Sequence, residues 1–149
     1  LNPIDASDPT QHLRMLSYIW ADQADRLART RAALDLAAQH ELHIDKADAV
    51  DWLKVRLAKP LAGSTHVVFH TIAWQYLPKA LQEEGEQLIA EAGARATANA
   101  PLARLQLEAD GKPDGASLTL QIWPAGEKQE IGRADFHGRW VEWRGWQSR

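Results

Sequence analysis

The segment HVVFHTIAWQYLP, residues 66–78, runs from an apolar strand-like stretch into side chains that can do chemistry. His70 is a candidate general base, and Gln75 and Tyr76 are polar groups able to line a pocket beside it. Open α/β sheets bind ligands outside the carboxyl ends of their strands, where His70 is expected. A second interpretation stays open, in which Trp74 packs the corner and His70 only hydrogen-bonds the backbone.

Asp48 and Asp51 lie where a helix is predicted to begin, and the helix dipole favours carboxylates at that end. Asn2 and Asp5 lie in the polar segment NPIDASDP, where exposure to solvent is sufficient to explain them.

Motifs of several other enzyme classes are missing from the sequence. There is no G-x-S-x-G elbow, H-E-x-x-H pair or P-loop, so the residues do not support a hydrolase or a nucleotidase. His66 and His70 would share one face of a strand yet stand about 13 Å apart at ~3.3 Å per residue. Because zinc ligands lie within about 2.1 Å of the ion, we predict no metal site.

Composition limits the class of protein and its partners. The chain has 149 residues, enough for a single domain with its own core, and 17 Lys and Arg against 20 Asp and Glu give a net charge of -3. This mildly acidic balance predicts no nucleic-acid partner. No apolar run approaches the ~20 residues that span a bilayer, which predicts no membrane partner. The absence of cysteine is compatible with a reducing cytoplasm, the location that we predict.

Four helices and five strands are predicted from periodicity, capping and turn chemistry. The helices are expected at about 9–20, 21–40, 47–58 and from 74 or 78 to 92. The strands are expected at about 65–70, 102–108, 117–123, 128–135 and 139–143. Strand 65–70 is apolar on both faces, which predicts a strand covered by helices on both sides.

The order of these elements predicts an α/β fold with a mixed sheet. A helical segment, 1–62, precedes a strand-helix-strand unit with further antiparallel strands, 63–149, and we predict that both form one domain. A right-handed crossover should pair strands 65–70 and 102–108 in parallel. The later strands alternate apolar and polar residues and should form an antiparallel meander at the C-terminal end.

Seven segments carry a resemblance to a known family. They are LNPID (1–5), WADQADRLAR (20–29), ADAVDWL (47–53), VVFHTIAWQYLP (67–78), PLARLQLE (101–108), WPAG (123–126) and HGRWVEW (137–143). Over nearly its whole length the chain resembles a family of uncharacterised bacterial proteins catalogued as domain of unknown function 2332. Members of that family look similar to class I S-adenosylmethionine-dependent methyltransferases.

The resemblance implies a Rossmann-like, methyltransferase-like sheet and S-adenosylmethionine as a cofactor of the full-length protein. The residues that would face the substrate are His70, Gln75 and Tyr76. The residues that would contact the cofactor are Asp48 at the adenine ring, with Asn2 and Asp5 bordering the ribose.

In the family, the glycine-rich cofactor turn lies upstream of LNPID, so the resemblance implies that this chain is the C-terminal part of a longer protein. We therefore expect this chain alone to bind no cofactor and to be inactive. We also expect strand 65–70 to lose a neighbour, and its apolar edge to join copies into a homo-oligomer.

Three departures from the methyltransferase pattern weaken the comparison. The segment ADGKPDGA leaves no room for a helix that methyltransferases carry between two late strands, and Thr71 and Arg104 stand where Ser and Trp are expected. Two hypotheses therefore stay open. In one, the chain is the C-terminal part of a methyltransferase-like protein whose intact form binds a small molecule, S-adenosylmethionine or a related nucleoside. In the other, it is a non-catalytic binding or assembly module on a Rossmann-like scaffold.

Overall fold

The structure, a computed structural model, describes residues 3–40 and 42–147. Asn2, one of the candidate cofactor residues, lies outside the described residues. The chain divides into two compact units, Leu1–Ala47 and Asp48–Arg149.

The described residues of the first unit form two helices, α1 (Pro9–Ser17) and α2 (Ala24–Ala37). The beginning of α1 follows from its sequence, because Oδ1 of Asp8 accepts a hydrogen bond from the backbone N–H of Thr10 at 2.8 Å and Pro9 occupies the first turn. Neither helix has a fully buried residue.

The described part of the second unit contains two longer helices, one short 3-10 helix and five strands. In chain order they are α3 (Ala49–Arg56), β1 (His66–Thr71), the 3-10 helix Trp74–Tyr76, α4 (Lys79–Ala94), β2 (Leu102–Glu108), β3 (Ala116–Trp123), β4 (Glu127–Ala134) and β5 (Val141–Trp143). Among the residues that the structure describes, no helix combines the length and the apolar character needed to cross a membrane.

The strands form one open mixed sheet in the order β1-β2-β3-β4-β5. β1 and β2 are parallel, from His66 beside Leu102 to Thr71 beside Leu107, and α4 lies between them in the chain. The other neighbouring strands are antiparallel. The predicted α/β class, the mixed sheet, the parallel pair and the antiparallel meander are therefore confirmed.

The main core of this unit lies between the sheet and its two helices. Its buried members are Leu53, Leu57, Val68, Ile89, Ala92, Leu102 and Trp123. α3 contributes to this core and therefore belongs with the sheet. The boundary between the two compact units falls between Ala47 and Asp48.

β1 is an edge strand, and the prediction that helices cover both of its faces is wrong. Val68 is buried, but Val67 and Phe69 on the other face are 52% and 62% exposed. The apolar pattern was interpreted as that of a strand between two helical layers. The described chain covers only the face of Val68. The prediction failed since the burial of a strand depends on its neighbours as well as on its own residues.

Candidate functional site

His70 lies one residue before the end of β1, and both of its ring nitrogens are hydrogen-bonded to protein side chains. Nδ1 lies 2.7 Å from Oε1 of Glu108, and Nε of Arg104 donates to Nε2 at 3.1 Å. Because Arg104 can only donate, Nε2 carries the lone pair and Nδ1 carries the proton that Glu108 accepts. The network thus assigns the Nδ1–H tautomer of a neutral imidazole.

The surroundings of His70 keep its ring neutral. Burial has the largest effect on the pKa of His70 and lowers it, whereas the hydrogen bond to Glu108 raises it. The positive charge of Arg104 lowers the pKa further, so that it lies below the ordinary value of 6.5. His70 is therefore uncharged at neutral pH.

Arg104 is the centre of this network. It is only 3% exposed, and its two terminal nitrogens donate to the two carboxylate oxygens of Glu86 on α4 at 2.5 and 2.6 Å. Burial tends to raise the pKa of Glu86, but the hydrogen bonds and the charge of Arg104 outweigh it and hold the pKa below the ordinary value. The pair is bidentate, the strongest arrangement available to these two groups.

Glu108, the last residue of β2, fixes the corner that follows β1. Besides His70, its Oε1 accepts hydrogen bonds from the backbone N–H groups of Ala73 and Trp74, each at 3.1 Å. Burial tends to raise the pKa of Glu108, but these hydrogen bonds, first that of His70, lower it below the ordinary value. Its Oε2 is buried and has no hydrogen-bond partner among the described residues. The corner also needs a positive φ of 44° at Ile72.

Trp74 is held in a fixed slot by this network. Its ring stacks on His70 with the centroids 4.8 Å apart, and the guanidinium carbon of Arg104 lies 4.7 Å from the ring centroid. On α4, Gly85 makes room for the indole, since a Cβ there would stand only 2.6 Å from Cη2 of Trp74. The polar network therefore positions an aromatic side chain.

A groove with a volume of about 370 Å³ lies beside the open edge of β1. It is lined by Ala49, Trp52, Leu53, His66, Val67, Val68, Phe69, His70, Ala73, Trp74 and Leu77. Apolar and aromatic side chains dominate this lining. The segment 60–78 contains no Asp, Glu, Lys or Arg, so β1 and the corner after it carry no fixed charge.

Comparison with protein families identifies the family of this chain. The model of the family described as "Uncharacterized protein conserved in bacteria (DUF2332)" matches residues 1–143. The chain belongs to this family. Neither the search of curated proteins nor that of solved structures returns a match.

In this member of the family, the other predicted substrate-facing residues do not join the network of His70. Gln75 is exposed and Tyr76 is 75% exposed, and neither lines the groove. Trp74, from the same short helix, is the side chain that meets His70. The predicted catalytic residues are thus divided between a partly buried ring, His70, and two exposed side chains, Gln75 and Tyr76.

The candidate cofactor residues make local hydrogen bonds within their own units. Oδ1 of Asp48 accepts from the backbone N–H groups of Val50 and Asp51 at 2.9 and 3.3 Å, which caps α3. In the first unit, Oδ1 of Asp5 accepts from the N–H and the hydroxyl of Ser7 at 2.9 and 2.6 Å. The hydroxyl bond is the main reason why the pKa of Asp5 lies below its ordinary value.

Sequence reasoning missed three members of the network: Glu86, Arg104 and Glu108. They lie on α4 and β2, far from His70 in the chain, so no local spacing links them to it. The available signal was Arg104, a charged residue among the apolar residues of a predicted inner strand, because a buried arginine requires an acidic partner. No cluster of His, Asp and Glu able to hold a metal ion occurs within residues 3–40 and 42–147.

Proposed function

We propose that the chain is a non-catalytic binding or assembly module and that the groove beside β1 is its binding surface, with a small apolar, aromatic molecule as ligand. The observation that supports this proposal is the state of His70. A general base needs an accessible lone pair close to the substrate. The lone pair of His70 accepts a hydrogen bond from Arg104, and its other nitrogen is bonded to Glu108.

The groove has the features of a binding site for such a ligand. Its volume of about 370 Å³ lies within the range of about 300–1,000 Å³ that is typical of small-molecule sites. Trp52, Phe69 and Trp74 line it and offer aromatic surfaces for a planar ring. The bonds from Glu86 through Arg104 to His70 give Trp74 a fixed orientation, so this wall is formed before a ligand binds.

Nuclear magnetic resonance of the indole N–H groups tests this proposal, with indole as the probe. We expect indole to shift the signals of Trp52 and Trp74 while the signal of the core residue Trp123 stays in place. Ala73→Phe should fill the groove and weaken binding about tenfold or more, since its side chain would occupy the space of the probe. Ala80→Phe on the exposed side of α4 is the matched control. Saturating indole that leaves both groove signals unchanged would refute the proposal.

S-adenosylmethionine, the cofactor that the resemblance implies, does not fit the residues present. Asp48 is engaged in capping α3, and Asp5 in a turn with Ser7. The sequence has no two glycines separated by one residue, so the G-x-G turn that lets a backbone approach such a cofactor is missing from these residues. The two described carboxylates thus already accept hydrogen bonds within the chain, which favours a ligand other than this cofactor.

The second candidate function is a methyltransferase with a Rossmann-like fold in the full-length protein. Two features favour it: the parallel pair β1 and β2 with α4 between them, and the position of His70 near the carboxyl end of β1. Calorimetric titration of the full-length protein with S-adenosylmethionine separates the two candidates. Heat of binding together with a raised melting temperature would support the methyltransferase, and the absence of both would eliminate it.

A further inference from the structure

A small cavity adjoins the groove at the start of β1, and His66 lines both of them. The cavity has a volume of about 20 Å³, which gives room for about one water-sized group. Its other polar side chains are two cations, Lys59 after α3 and Arg95 at the end of α4. In the described part of the chain, no Asp or Glu lines the cavity or the groove. Lys59, His66 and Arg95 thus give the groove a basic end.

The groove has two imidazole rings, and one of them is available to a ligand. Both ring nitrogens of His70 are hydrogen-bonded, one to Glu108 and one to Arg104. The ring of His66 makes no hydrogen bond to the residues that the structure describes, and this side chain is half-buried. Because an imidazole has an N–H in either tautomer, His66 can donate a hydrogen bond to a ligand oxygen.

The ends of two helices do not cancel the charge of the basic end. α3 ends at Arg56 and α4 at Ala94, and each C-terminus carries a partial charge of about −0.5. Nη2 of Arg95 donates to the C=O of Leu57 at 2.9 Å, whereas Lys59 makes no hydrogen bond or ion pair to the described residues. Two full positive charges against a total of about −1 leave roughly one positive charge for a bound anion.

The sequence around the basic end is free of acidic residues. Segments 52–82 and 92–107 contain no Asp or Glu, although the whole chain has a net charge of -3. An anion at this end of the groove therefore meets no like charge from the segments that form β1, the end of α3 and the end of α4.

We propose that the ligand of the groove is an aromatic carboxylate, whose carboxylate group binds at the basic end. This inference rests on the proposed binding function and names the class of its ligand. The small cavity admits a carboxylate oxygen, whereas a phosphate group is larger than the space. From His66 to Phe69 the strand advances about 10 Å at ~3.3 Å per residue. A short aliphatic linker therefore lets the ring lie against Phe69 while the carboxylate reaches His66.

Two probes with the same ring and opposite charges test the inference. 3-Indolepropionate and tryptamine both carry an indole ring on a two-carbon linker, which ends in a carboxylate in the first and in an ammonium group in the second. Titrations at pH 7 that follow the indole N–H signals of Trp52 and Trp74 give both dissociation constants. We expect 3-indolepropionate to bind about tenfold or more tightly than tryptamine, because the carboxylate gains charge-assisted hydrogen bonds and the ammonium group meets like charges.

A double variant tests whether the basic end causes this preference. Lys59→Met combined with Arg95→Gln removes both charges, and glutamine keeps an N–H donor for the C=O of Leu57. The preference should fall to about threefold or less, while neutral indole should bind as it binds the wild type. Lys54→Met is the matched control, because Lys54 is exposed and lines neither the cavity nor the groove. This control should keep the full preference.

Each outcome decides one question. A wild-type chain that binds both probes equally, or tryptamine more tightly, would overturn the inference. A preference that survives the double substitution, or that Lys54→Met removes equally, would also overturn it. If the double variant loses neutral indole as well, Lys59→Met alone replaces it, and an undiminished preference in that variant counts against the inference. The absence of indole binding by the wild type removes the proposed function, whereas indole binding without a preference for the carboxylate removes only this inference.

Discussion

Replacing Glu86 by glutamine tests whether the buried network stabilises the second unit. Glu86→Gln keeps the shape of the side chain and one acceptor oxygen, but it removes the negative charge that faces Arg104. The side chain of Arg104 is 4% exposed and that of Glu86 is 52% exposed. The substitution therefore leaves a buried cation with a neutral partner that reaches the solvent.

The expected loss follows from this difference in exposure. Removing one partner of a fully buried ion pair costs about 3–5 kcal/mol. Half of the Glu86 side chain is in contact with water, which screens the pair, and glutamine still accepts one of the two hydrogen bonds. We therefore expect Glu86→Gln to lower the free energy of unfolding by about 2 kcal/mol.

Glu83→Gln on the same helix is the matched control. Glu83 lies 3.9 Å from Lys79, and both side chains are largely exposed. Exposed pairs of this kind contribute about 0.3–0.5 kcal/mol. Urea denaturation followed by circular dichroism at pH 7 measures both variants against the wild type. Equal losses in the free energy of unfolding for Glu83→Gln and Glu86→Gln would refute the reasoning. The ion pair of Glu86 with the buried Arg104 would then contribute no more to stability than an exposed pair.

The pH dependence of the Glu86→Gln effect gives a second measure of the same interaction. The pKa of Glu86 lies below its ordinary value in the folded chain because Arg104 outweighs the effect of burial. A carboxyl group with a lowered pKa stabilises the fold above its unfolded pKa, and this contribution is lost as the pH falls through the folded pKa. The difference between wild type and Glu86→Gln should therefore be constant from pH 6 to 8 and shrink below about pH 4.5.

Three further substitutions test other parts of the structure, each by urea denaturation. Gly93→Ala should destabilise the chain by about 1–3 kcal/mol, because the added Cβ overlaps the indole of Trp123. Alanine is the better helix former, so a gain in stability would show that the overlap is relieved and would contradict this packing. Burial lowers the pKa of His70 in the folded state, so the wild-type chain should lose stability as the pH falls below about 6.5, the pKa of an unfolded histidine. His70→Gln should make the free energy of unfolding less dependent on pH in this range, and an unchanged dependence would contradict a neutral His70 ring in the folded state. Asp48→Ala should cost about 1 kcal/mol through loss of the α3 cap, and an unchanged stability would reopen a role for Asp48 in ligand binding.

The sequence predicted those parts of the fold that depend on neighbouring residues. Asp8-Pro9 marks the start of α1, because a helix cap involves only neighbouring residues. After α4 the spacing of apolar residues changes from the helical period to alternation with polar residues, which marks the antiparallel strands. The parallel pairing of β1 with β2 followed from the helix between them. The placement of His70 near the end of β1 came from the same local pattern.

The candidate site was only partly predictable because its contacts join distant parts of the chain. The network around His70 includes Glu86 on α4 and Arg104 and Glu108 on β2. These contacts form only when the chain folds, so no local sequence motif indicates them. The exposure of Phe69 was missed for a related reason. Its apolar pattern indicates what a strand can bury, but only the position of the strand in the sheet determines what is buried.

The slot between Trp74 and Gly85 has a consequence for the evolution of the family. The two residues share one volume, since any side chain at position 85 would occupy space that the indole fills. A relative with alanine or a larger residue at the position of Gly85 should therefore carry a smaller ring or an aliphatic residue at the position of Trp74. Correlated substitution at these two positions across related sequences would show that the shared volume constrains both residues. Independent variation would show that the surrounding side chains of relatives pack differently.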